Sequence, residues 1–81
     1  MDTQKPKVLA ALVDIYEHGV GTFVIDSNYL SRAIGASLDE VEAIVHQLWS
    51  EDYLAYEGNR FRLTERGYWK YIRDVNSGRS A

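Results

Sequence analysis

Between Asp26 and Leu63 the sequence carries four local signals in a fixed order, and that order leaves few folds open to the chain. Asp26 or Ser27 caps a short helix over 28–34, which Gly35 then stops. Ser37 and Glu40 have the spacing of a capping box, in which hydroxyl and carboxylate each satisfy a free backbone N–H. That box opens the strongest helix of the chain, over 38–51, with Val41, Ile44, Val45 and Leu48 on one side. Two alternating runs, Leu54–Glu57 and Arg60–Leu63, then flank Gly58-Asn59, a two-residue turn that fits strand twist and predicts a β-hairpin.

The flanking segments extend the pattern. Pro6 suits a first helical turn, where its missing N–H would have no partner. From Lys7 onward Val8, Leu12, Ile15 and Tyr16 form an apolar stripe that Leu9 and Val13 widen, and Gly19 and Gly21 end the helix. Thr22, Phe23, Val24 and Ile25 are β-branched or aromatic and predict a short strand. Thr64 caps a last helix over 65–75, with Tyr68, Tyr71, Ile72 and Val75 on one face. The expected class is therefore α+β and mostly helical, in the order α-β-α-α-β-β-α, with a small three-stranded antiparallel sheet. It forms a single domain over 1–76 with a flexible tail over 77–81.

Eighty-one residues suit one domain, and ten aromatics supply a real core. With no cysteine, disulfides and thiolate metal sites are excluded. The N-terminal apolar run is broken by Asp14 and Glu17, so it reads as neither a signal peptide nor a membrane span. A soluble, cytoplasmic protein is the expectation. The net charge of −3 is unevenly spread: residues 1–26 sum to −2, residues 27–53 to −4 and residues 54–81 to +3. Positive potential is thus concentrated in the last third.

Ser31, Gly35, Val41 and Ile44 have the spacing of a helix-turn-helix, with serine where alanine is commoner. Together with the hairpin YEGNRFRLT and the following TERGYWKYI, the stretch 23–71 resembles winged helix-turn-helix transcriptional regulators of the bacterial and archaeal kind. The resemblance implies a domain that binds double-stranded DNA, places its second motif helix in the major groove and lays the hairpin along the backbone. Carried onto this sequence, it implies that Ser37, Ala43, His46 and Gln47 approach bases. Arg60 and Arg62 on the hairpin, with Lys70 and Arg73 on the last helix, would contact phosphates. Asp39 and Glu42 depart from the pattern, because carboxylates on that face would meet phosphate. They read equally as a solvated face beside the positive end of the helix dipole. The alternative function is a winged-helix protein-interaction module whose acidic helix meets a basic partner.

Trp49, Trp69, Tyr68 and Ile72 raise a second question. The tryptophans either pack on each other or on the first helix, or they belong to a homodimer interface, as the resemblance to dimeric repressors implies. For catalysis the sequence offers little: His18 and His46 stand far apart without ligand-spaced partners, and no phosphate-cradling glycine loop is present. The expectation is a non-enzyme with no cofactor and no metal.

Overall fold

The computed structural model describes residues 4–19 and 24–79, with side chains through residue 76. Its element order is α1 (Lys5–Gly19), α2 (Ser27–Ile34), α3 (Leu38–Ser50), β1 (Leu54–Glu57), β2 (Arg60–Leu63) and α4 (Glu65–Arg79). The class is α+β and mostly helical, with four helices and a two-stranded antiparallel sheet among the described residues.

Each helix boundary has a local cause. Asp26 is the cap of α2: it lies in extended backbone and its Oδ1 accepts from the Tyr29 N–H at 2.9 Å. Gly35 ends that helix at φ 72°, and the amides of Gly35 and Ala36 both donate to the Ser31 carbonyl, at 3.0 and 3.1 Å. Ser31 also braces this turn through its side chain, since its hydroxyl donates to the Ala36 carbonyl at 2.6 Å. Ser37 then caps α3, its Oγ accepting from the Glu40 N–H at 3.2 Å. The Glu40 carboxylate, assigned by the capping-box pattern to a backbone N–H, meets the Ser37 hydroxyl at 3.3 Å.

The end of α3 repeats the device without glycine. Tyr53 N–H donates to the Leu48 carbonyl and Asp52 N–H to that of Trp49, which leaves Asp52 at φ 69°. A left-handed non-glycine residue costs about 1–2 kcal/mol, less for aspartate than for bulkier types. Asp52→Gly is therefore expected to stabilise the domain by about 0.5–1 kcal/mol, raising Tm in a thermal melt by about 2–8 °C. An unchanged or lower Tm would mean that the aspartate carries a compensating contact.

In the hairpin, Leu54 pairs with Leu63, Ala55 with Arg62, Tyr56 with Phe61 and Glu57 with Arg60. Only Gly58 of the turn has positive φ, the requirement of a turn with glycine at its first central position. Leu54, Tyr56, Phe61 and Leu63 share the inner face, while Arg60 and Arg62 share the outer one. Of the strand expected over 22–25, the described residues show one bridge: Ile25 and Phe61 exchange two backbone hydrogen bonds of 2.9 and 2.8 Å. Thr22 and Phe23 lie outside the described residues. The pairing stops after Ile25 because the next residue, Asp26, is already committed to capping α2.

Val8, Leu12 and Val13 of α1, Leu30 of α2, the four stripe residues of α3, and Tyr53, Leu54, Phe61 and Leu63 form one buried cluster. Ile15 lies off it, half-buried in a groove beside Ile25 and Tyr29. Helix α4 joins this core through its first turn. Thr64 donates from both its N–H and its hydroxyl to the Tyr53 carbonyl, at 3.0 and 3.1 Å, and its Oγ1 accepts from Gly67 N–H at 2.9 Å. Further along, Tyr68 stacks on Tyr16 of α1 with centroids 4.7 Å apart and donates to Glu17 at 2.7 Å. The helix continues to Arg79, past the end at residue 75 expected from sequence. Each added residue there closes one more backbone hydrogen bond at little cost, although the apolar stripe has ended.

Candidate nucleic-acid interface

Helix α3 packs Val41, Ile44, Val45 and Leu48 inward, and by helical period this turns Ser37, Asp39, Glu42, Ala43, His46 and Gln47 outward. All six are exposed. On one flank stands the hairpin. A cleft of about 420 Å³ between them is lined by Ser27, Glu42, His46, Tyr56, Gly58, Asn59 and Phe61, so the start of α2, the mid-face of α3 and the hairpin tip meet in one place.

The four base-approaching residues assigned from sequence thus share a surface, but they are not equally available. Gln47 donates to the Glu51 carboxylate at 3.2 Å, one turn along the helix. His46 lies against Trp49, ring centroids 5.5 Å apart. Ser37 is occupied with its cap, and Ala43 offers a methyl group. Asp39, Glu40 and Glu42 give the N-terminal half of the face a negative charge that suits the α3 dipole.

Seven of the nine lysines and arginines divide into three groups. Arg62 is ion-paired with Glu57 at 2.7 Å across the hairpin's outer face. Lys70 faces inward, away from the phosphate contact expected of it alongside Arg73. Its ammonium donates to the Glu51 carbonyl at 2.8 Å and sits 4.5 Å from the Tyr53 ring centroid. Lys5 of α1 approaches the same helix end, 3.0 and 3.3 Å from the two Glu51 carboxylate oxygens. Because α3 has no basic residue in its own last turn, these two lysines supply the positive charge that its dipole favours there. The remaining arginines, Arg60 and Arg73 with Arg32 and Arg66, are exposed and hold no ion pair with another described residue.

The Lys5–Glu51 pair has a pH signature. Its hydrogen bond from Lys5 holds the Glu51 carboxyl below the usual carboxylate range, aided by Gln47 and opposed by partial burial. A depressed folded-state pKa gives stability that is present above the unfolded value, about 4.3, and lost as pH falls through the folded one. The side chains are 28% and 37% exposed, so the contribution is modest. Lys5→Met is expected to flatten the acid limb of stability below about pH 5 in urea titrations. A limb as steep as in the original chain would show that the pair does not act.

The two tryptophans stand apart. Trp49 is 45% exposed and joins His46 and Tyr56, the Trp49–Tyr56 centroids being 5.8 Å apart; Tyr56 in turn meets Phe61 edge-on. Trp69 is 57% exposed and touches only the neighbouring Tyr68 among ring contacts of the described residues. The four residues assigned to a dimer interface are thereby split: Trp49 belongs to the α3–hairpin side, and Tyr68, Trp69 and Ile72 belong to α4. Arg32 and Tyr56 carry no assignment from sequence. Arg32 shows only as the outward residue of a short helix, and its neighbours depend on the Ile25–Phe61 bridge.

Among the described residues no cluster of three His, Asp or Glu side chains is placed to hold a metal, and no helix is long and apolar enough to cross a membrane. In comparisons with known proteins, no family model matches the chain, and neither a curated protein nor a solved structure does.

Proposed function

We propose that the chain is a winged helix-turn-helix domain that binds duplex DNA as a cytoplasmic transcriptional regulator, without catalytic activity of its own. One observation carries this reading. The outer face of α3 is uncovered along its length, it follows α2 after a three-residue turn, and the hairpin stands on its flank. A helix presented in this way fits the major groove, and a hairpin beside it lies along the phosphates. His46 is the base-facing side chain left with a free polar edge, while the exposed arginines supply the attraction that α3 itself lacks. Fluorescence anisotropy with a labelled 20-base-pair duplex of random sequence tests the reading. At about 50 mM salt the expected Kd is micromolar, in the range of sequence-independent binding, and it weakens steeply as salt is raised. No binding at 100 µM protein would overturn it.

A second reading has its own support in the cleft between α3 and the hairpin. Glu42 and Tyr56 both line that cleft, and the Trp49 ring meets the Tyr56 ring at a tilt. A carboxylate next to exposed aromatic rings fits an arginine or lysine of a protein partner, through ion pairing and cation–π contact. Under this reading the domain is a protein-interaction module, and Trp49→Ala would abolish partner capture while leaving any DNA binding intact.

A further inference from the structure

A second cleft, of about 310 Å³, opens on the other side of the start of α2 and is lined by Val24, Ile25, Asp26, Tyr29, Arg32 and Arg60. Its two arginines come from different elements, the last turn of α2 and the first residue of β2. The Ile25–Phe61 bridge brings them together by pinning the segment before α2 to the strand that begins at Arg60. Neither guanidinium has an ion pair with another described residue. The acid in the cleft, Asp26, is turned to the end of α2, where it accepts from the Tyr29 N–H at 2.9 Å.

Two like charges in one cleft repel each other, and an anion between them removes that repulsion. Guanidinium groups present forked N–H donors that match the paired oxygens of a phosphate, and Tyr29, half-exposed, adds a flat wall suited to a sugar. Two chain steps tie the cleft to the one beside α3. Asp26 and Arg60 line it, and their chain neighbours Ser27 and Asn59 line the cleft between α3 and the hairpin. We propose that Arg32 and Arg60 together clamp one phosphodiester of the DNA backbone, next to the groove that α3 enters. The inference rests on the duplex-DNA reading above and adds a residue from α2 that the hairpin-and-last-helix pattern leaves out.

A shared phosphate has a signature that separate contacts lack. Each phosphate neutralised adds about 0.9 to the slope of log K against log salt. Arg32→Gln or Arg60→Gln alone should lower that slope by less than one, measured with the 20-base-pair random duplex, because the arginine left still neutralises the phosphate. The double variant should lose about one, since both side chains serve one phosphate. A double loss near two, or a double variant whose slope equals that of Arg60→Gln, overturns the clamp while DNA binding by the original chain stands. If the original chain binds no duplex, the DNA reading fails and inorganic phosphate becomes the probe. In a titration followed by the arginine Nε–H resonances, Arg32 and Arg60 should then shift together while Arg66 and Arg73 stay in place. Absence of that paired shift overturns the cleft as a phosphate site.

Discussion

Gly67→Ala is expected to cost the domain about 3 kcal/mol or more, lowering Tm by about 12 °C or more. Helix propensity alone predicts the opposite, a gain of about 1 kcal/mol for alanine inside a helix. Packing decides the sign. A Cβ built on Gly67 meets the Tyr53 carbonyl oxygen too closely, and lies 2.7 Å from the Tyr53 Cα and 2.8 Å from its carbonyl carbon. These are backbone atoms, held in place by the two hydrogen bonds from Thr64 and by the turn that ends α3. Nothing there can swing aside as a flexible side chain would. Relief requires α4 to tilt away from Tyr53, which also strains the Lys70 and Asp74 contacts on that residue. A domain of this length has roughly 4–12 kcal/mol of stability in all, so the variant should be partly unfolded at 37 °C. Thermal melts followed by circular dichroism measure it, and a variant as stable as the original would mean that α4 is not seated on Tyr53.

The second large effect is on affinity. Asp39→Asn combined with Glu42→Gln is expected to tighten binding to a random duplex about thirtyfold. Each exposed carboxylate brought about 4 Å from a phosphate costs about 1 kcal/mol with water-like screening, and two removed repulsions give about 2 kcal/mol. The folded state loses a little in exchange, because Asp39 favours the α3 dipole by about 0.3–1 kcal/mol. Anisotropy at about 50 mM salt reads the change. Unchanged or weaker binding would place these carboxylates away from the DNA and remove α3 from the groove.

Local signals were the legible part of the fold. The caps at Asp26 and Ser37, the stop at Gly35, the stripe of α3 and the hairpin register are all decided by residues close in sequence, and the structure has each of them. The Leu63–Gly67 junction was legible as a cap at Thr64, but the reason for its glycine was not. That reason is the Tyr53 backbone, on a different element. Of the third strand, the described residues carry the Ile25–Phe61 bridge, and β propensity in Val24 and Ile25 gives way at Asp26 to the capping of α2. In the candidate site, the exposed face of α3 followed from helical period. Availability did not. Lys70 reads from sequence as a phosphate contact alongside Arg73, yet the end of α3 draws its ammonium inward. Arg32 sits alone among five acids over residues 27–53, and only the bridge between Ile25 and Phe61 makes it a neighbour of Arg60.

Chemical-shift mapping of backbone amides during titration with a 20-base-pair duplex tests the central claim most directly. The account predicts that the largest shifts fall on residues 37–47 of the α3 face, on the start of α2 and on Gly58 and Asn59 at the hairpin tip. Shifts confined to α1 and the Trp69 side of α4, or no shifts at all at millimolar duplex, would contradict it.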